Sequence, residues 1–238
     1  MLEKFDTFYA QAAPKLLAGI HGRERVPITG NDRWPISVVA CLPPEVEQIV
    51  GGLTSEAIAV AGDGHLRTGA AGSAHVTVRS LERYRPDVPQ DDPAVRRYTE
   101  AVRSAAAASP PIGLLFTGVT LTSNGILGQL EPVDDALWEM MAGLEGALGD
   151  DAWLERGEPR DLTYVNMLHF ADEIRDPAGL IRWVQSHRTM EPVSFTVSEL
   201  LLVAYRWTDE REPVTGRRFR QASRSTLSTS QIGTGADS

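Results

Sequence analysis

Two short runs restrict the folds open to this chain more than anything else in it. Residues 75–81 (HVTVRSL) and 161–170 (DLTYVNMLHF) interleave polar side chains with apolar ones. Strand side chains point alternately to opposite faces, so each run reads as a half-buried strand with a polar face left for chemistry. In the first run His75, Thr77 and Arg79 share one face, and Val76 and Val78 share the other.

Strand and helix signals alternate around these runs. Residues 34–42 (WPISVVACL) form an apolar strand that stops at Pro43-Pro44. Pro44 suits the first turn of a helix, and the acidic residues after it suit the positive end of the helix dipole. A polar loop over 85–92 leads into PAVRRYTEAVRSAAAA, which Ser109-Pro110-Pro111 ends. Residues 112–132 read as a hairpin, with Ser123-Asn124-Gly125 expected to supply the positive-φ residues of its turn. DDALWEMMAGLEGALGD is a helix with Asp134 or Asp135 as its cap, and Asp176-Pro177 opens another. A last hairpin is expected to pair SFTVSELLLVAYRWTD with PVTGRRFRQA. The resulting order, β-α-β-α-ββ-α-β-α-ββ, argues for an α+β domain and against a doubly wound parallel sheet. It also looks duplicated, one polar-faced strand lying beside helices in each half.

The remaining boundaries come from composition. Residues 1–30 carry an amphipathic helix (Phe5, Tyr9, Leu16, Leu17, Ile20) and a Gly- and Pro-marked connection. This helix is expected to pack on the main domain, 31–222, or on a second copy of the chain in a homodimer. Residues 223–238 are Ser/Thr/Gly-rich and read as a disordered tail. A formal charge of -9 over 238 residues repels polyanions, which argues against long nucleic acid and for a small molecule or short nucleotide. The single cysteine, Cys41, lies in an apolar run and reads as a buried small hydrophobe. No signal peptide and no membrane-length apolar run is evident, so the expected location is cytoplasmic.

His75-Val76-Thr77-Val78 resembles the His-hydrophobic-Thr-hydrophobic motif of the 2H phosphoesterases, which include RNA 2′,3′-cyclic phosphodiesterases and bacterial RNA 2′-5′ ligases. The element order agrees with that family over roughly 32–222. The resemblance implies a bilobal, pseudo-symmetric α+β fold, with antiparallel sheets flanked by helices around a central cleft. Each lobe would contribute one motif. One histidine would activate water, the other would protonate the leaving oxygen, and the threonines would hold the phosphate.

The second motif departs from the family. In the register that matches it best, Tyr164 stands for the histidine and Asn166 for the threonine. A one-residue slip would present Thr163, Val165, Met167 and His169 instead. The first register is preferred, which halves the two-histidine arrangement. The catalytic set is then His75, Thr77, Tyr164 and Asn166, with Arg79, His169 and Arg218 as substrate-binding candidates. GRRFR (216–220) reads either as a phosphate-binding edge or as a charged edge strand. His65 reads as a loop or strand-end residue, and His187 as a helix-end residue facing the dipole. No cofactor is implied, and no cluster has metal-ligand spacing.

Three functions stay open. The first is a divergent phosphodiesterase acting on a small cyclic phosphate or short RNA end. The second is a repurposed enzyme of specialised metabolism, an isomerase, cyclase or lyase moving one proton on an organic metabolite. That reading requires an apolar, aromatic cleft without convergent arginines. The third is a ligand-binding module without turnover.

Overall fold

A computed structural model describes residues 2–89, 91–157, 160–206 and 214–220, with the side chains of Leu2, Arg206 and 214–220 outside the described set. Along the chain lie α1 (Leu2–Leu17), β1 (Ile36–Cys41), α2 (Pro44–Ala61), β2 (His75–Glu82), α3 (Pro93–Ala108), β3 (Ile112–Thr122) and β4 (Gly125–Pro132). They are followed by α4 (Ala136–Leu148), β5 (Thr163–His169), α5 (Pro177–His187), β6 (Val193–Val197), β7 (Leu200–Arg206) and β8 (Val214–Arg220). A 3-10 turn, Gly149–Glu155, continues from α4. Asp92 and Asp176 cap α3 and α5 by accepting from backbone N–H groups at 2.8 Å, and a proline opens α2, α3 and α5.

The strands form one antiparallel sheet in the order β6-β3-β4-β5-β2-β1-β7-β8. From the central β5–β2 seam outward, one lobe reads β5-β4-β3-β6 and the other β2-β1-β7-β8, which makes the duplication explicit. The fold is α+β, with α2 and α5 packed together over β5 and β3, and α3 and α4 packed together beside β7 and the 3-10 turn. Helix α1 lies on β3 of its own chain, burying Phe5 and Leu16 completely, and Thr120 donates a hydrogen bond to the Phe5 carbonyl at 2.9 Å. No helix among the described residues is long and apolar enough to cross a membrane.

The first strand of the last expected hairpin is in fact two. Only Ser198 and Glu199 separate β6 from β7, yet these strands stand six places apart in the sheet. Six spacings would put them about 29 Å apart on a flat sheet. Two linking residues reach only about 11 Å. The sheet therefore curls on itself, and the Cys41 N–H donates to the Glu199 carbonyl at 3.2 Å to hold the crossing. Cys41 joins a small cluster with Val39, Leu201 and Val203 on the inner face.

The β3–β4 turn also differs from expectation. None of Ser123, Asn124 and Gly125 adopts positive φ. Thr122 Oγ1 closes the turn by donating to the Gly125 carbonyl at 3.1 Å and accepting from the Asn124 N–H at 3.2 Å. Gly125 is required for another reason: a Cβ there would collide with the Leu168 carbonyl of β5.

Alternation in β2 breaks after Thr77. Val39 pairs with Thr77 but Val38 pairs with Arg79, so Val78 is an extra residue, a β-bulge. The bulge turns Arg79 away from the face of His75, where strict alternation had placed it. Arg79 is buried on the helix side, donating to Glu145 of α4 at 2.9 Å and to the Ala152 carbonyl at 3.0 Å. Arg79→Ala leaves both acceptors without their donor. Urea unfolding should show a loss of about 2 kcal/mol; a change within about 0.5 kcal/mol would mean the buried pair does not stabilise the fold.

Candidate functional site

β2 and β5 meet antiparallel at the seam with Val76 opposite Val165. That register sets His75 across from Asn166 and Thr77 across from Tyr164. Val76, Val78, Val165 and Met167 are buried on the helix side, and the intervening polar side chains face a cavity of about 210 Å³. Tyr164 and Asn166 thus lie on the cleft side, in the preferred register.

His169 lies there too, although it belonged to the slipped alternative. Leu127 pairs with Asn166 and Ile126 with Leu168, so Met167 is an extra residue. This second bulge sends Leu168, which strict alternation would place beside Asn166, into the core at 0% exposure and swings His169 to the cavity. The two strands therefore present matching sets at the same spacing: His75, Thr77 and Ser80 from β2, and Tyr164, Asn166 and His169 from β5.

The tautomer of His75 follows from its neighbours. Its Nδ1 lies 2.7 Å from the Ser73 carbonyl, which can only accept, so Nδ1 carries the hydrogen. In the neutral ring Nε2 is then the acceptor, and the Tyr205 hydroxyl donates to it at 2.8 Å. Burial pushes the Tyr205 hydroxyl pKa upward despite the nearby Arg160, so it keeps its proton. Trp34, in left-handed backbone at φ 61°, meets the Tyr205 ring edge-on at 5.7 Å. A bulky residue in that conformation is strained, and the strain falls at the cavity wall.

Two arginines line the same cavity. Arg33 pairs with the buried carboxylate of Glu24 through two of its nitrogens. Arg160 pairs with Glu155, donates to Ser80 Oγ at 3.2 Å and reaches the Tyr164 hydroxyl. Burial opposes ionisation of Glu24, but Arg33, His169 and a hydrogen bond from Trp34 outweigh it and hold the carboxyl below its usual range. His169 is pushed down to about 4, first by burial and then by Arg33 and His75, against the pull of Glu24. It is uncharged at neutral pH.

Sequence reasoning missed Arg33, Arg160, Trp34 and Tyr205. Three of them come from connections or from β7, and only Arg160 adjoins a motif, directly ahead of the second strand. Arg79 does not line the cavity, and the side chain of Arg218 lies outside the described residues. His65 is buried with both ring nitrogens on backbone groups, bonding the Ala61 carbonyl and the Ala171 N–H at 3.3 Å each. His187 bonds the Trp183 carbonyl at its own helix end.

No protein-family model and no curated protein matches this sequence. Solved structures do. E. coli LigT complexed with 3′-AMP is 14% identical, covers 80% of this chain and 99% of its own, and superposes with a TM-score of 0.51. A crystal structure of a phosphoesterase is also 14% identical, with 80% and 99% coverage and a TM-score of 0.49.

The depressed histidine has a consequence for stability. Between about pH 6.5 and pH 4 the unfolded chain binds a proton at His169 that the folded chain refuses, so this residue's contribution falls as pH drops through that window. Urea unfolding should therefore show wild type losing stability relative to His169→Gln on going from pH 7 to pH 4. A parallel pH dependence in the two proteins would contradict a partly buried His169 that is neutral at pH 7.

Proposed function

We propose, from the premise that this chain has the two-lobed 2H phosphoesterase fold, that it is a phosphodiesterase-type enzyme whose single motif histidine, His75, moves the proton. Its ligand is a small cyclic phosphate or a short nucleotide end. The observation that carries this reading is the convergence of Arg33 and Arg160 on the cavity that holds His75. Each guanidinium has five donors and commits only some of them to its carboxylate, so both keep N–H groups for an anion. Thr77, Ser80 and Asn166 add hydroxyl and amide donors. A repurposed metabolite enzyme calls for an apolar cleft without convergent arginines, and this lining speaks against it.

The chemistry needs one group that takes a proton and returns it. Water's oxygen attaches to phosphorus, and its proton passes to Nε2 of His75, directly or through the Tyr205 hydroxyl. As the ester P–O bond breaks, Nε2 gives that proton to the departing oxygen. His169, uncharged at neutral pH, does not serve as the acid. Its role is to shape the cavity and complete its polar lining. The guanidiniums stabilise the charge that gathers on the phosphoryl oxygens.

A mass-spectrometric turnover assay on 2′,3′-cyclic nucleotides tests this. His75→Ala should lower kcat/KM by about 10²- to 10⁴-fold, and Tyr205→Phe should lower it by about tenfold. Turnover indifferent to His75 would sink the assignment. Binding of a nucleotide phosphate without turnover in wild type would leave a ligand-binding module in its place.

A further inference from the structure

Beside the His75 cavity lies a larger one of about 510 Å³, and the two share Arg33, Arg160, Tyr164, Asn166 and His169, so they form one groove. The outer wall of the larger compartment is helix α1. Lys4, Phe8, Gln11 and Lys15 line it. Their spacing, i, i+4, i+7 and i+11, is a single helical stripe, adjacent to the stripe of Phe5, Ala12 and Leu16 that α1 buries in the core. The helix thus carries one face for packing and a neighbouring face for the groove, about 16 Å long at 1.5 Å per residue.

The chemistry along this wall is graded. Lys4 is bonded to Asp161, so that end of the compartment is compensated. Lys15, among the described residues, has no carboxylate partner, and Gln11 and Asn124 bring amides to the same lining. Phe8 is half-exposed, and Leu127 contributes an apolar surface. An aromatic face, amide groups and an uncompensated cation next to a phosphate pocket match a nucleoside followed by a second phosphate.

We propose that α1 builds a second compartment that takes the nucleotide adjoining the reacting phosphate, so the preferred ligand is an oligonucleotide end at least two nucleotides long. Phe8 stacks on its base and Lys15 pairs with its phosphate. This inference rests on the reading of the His75 cavity as a phosphate site, and its test separates the two. A lysine in the last turn also complements the helix dipole, so the readout is ligand preference and not stability.

Equilibrium binding of 3′-AMP and of a 3′-phosphorylated diadenylate is measured on the full chain, on Phe8→Ala and on Lys15→Gln, with circular dichroism melts to confirm that each variant folds. Wild type should bind the dinucleotide about tenfold more tightly than 3′-AMP. Lys15→Gln should shrink that ratio to about threefold or less while leaving 3′-AMP affinity unchanged, and Phe8→Ala, which removes the face both ligands stack on, should weaken both about equally. Equal affinity of wild type for both ligands, a ratio that Lys15→Gln retains, or binding indifferent to Phe8→Ala overturns the compartment while the phosphate-site reading stands. If wild type binds neither ligand, both readings fall.

Discussion

The seam where Val76 of β2 lies opposite Val165 of β5 governs the rest of the molecule. It is where the two four-strand lobes join, and it fixes which side chains share the cleft. Two residues beyond it on each strand, an extra residue interrupts the ladder, Val78 in β2 and Met167 in β5. A bulge bends its strand and reverses the faces of the residues beyond it. Two equivalent bulges therefore give both strands the same cleft pattern, and they route Arg79 and Leu168 into the interior. The curl imposed by the two-residue link from β6 to β7 then wraps the lobes around that polar surface.

Electrostatics at the site reconcile a chain of charge -9 with the anionic ligand proposed for it. The two guanidiniums are held by Glu24 and Glu155 in partly buried pairs, which fix their positions and leave donors over. The same arrangement suppresses the charge of His169, because burial and Arg33 both disfavour the imidazolium. His75 differs in kind. Its ring is oriented by one backbone carbonyl and one tyrosine hydroxyl, an arrangement that leaves Nε2 as the basic atom. Two histidines line the pocket, and only His75 has its ring oriented by a carbonyl on one nitrogen and a hydroxyl on the other.

Much of this was legible in the sequence. Period-two alternation identified both motif strands, proline and aspartate marked the helix starts, and the order of elements indicated an α+β fold with an internal duplication. The hidden features depend on partners distant along the chain. A bulge is decided by the register of the neighbouring strand, so nothing within HVTVRSL or TYVNMLH signals that Arg79 turns inward or that His169 turns out. SFTVSELLLVAYRW has no glycine or proline at Ser198-Glu199, so it read as one strand. Gly125 resembled a turn glycine, yet its role is to admit the Leu168 carbonyl. The groove-facing stripe of α1 was present all along as Lys4, Phe8, Gln11 and Lys15, one position displaced from the more apolar core stripe.

The central claim is that both bulged strands face one anion site whose basic atom is Nε2 of His75. A crystal structure of the chain with 3′-AMP tests it most directly. The account predicts the phosphate at the seam, within hydrogen-bond distance of His75 Nε2, Thr77 and Asn166, with Arg33 or Arg160 on its remaining oxygens. A phosphate bound elsewhere, with the Tyr205 hydroxyl still on Nε2 and the cavity free of ligand, would contradict it.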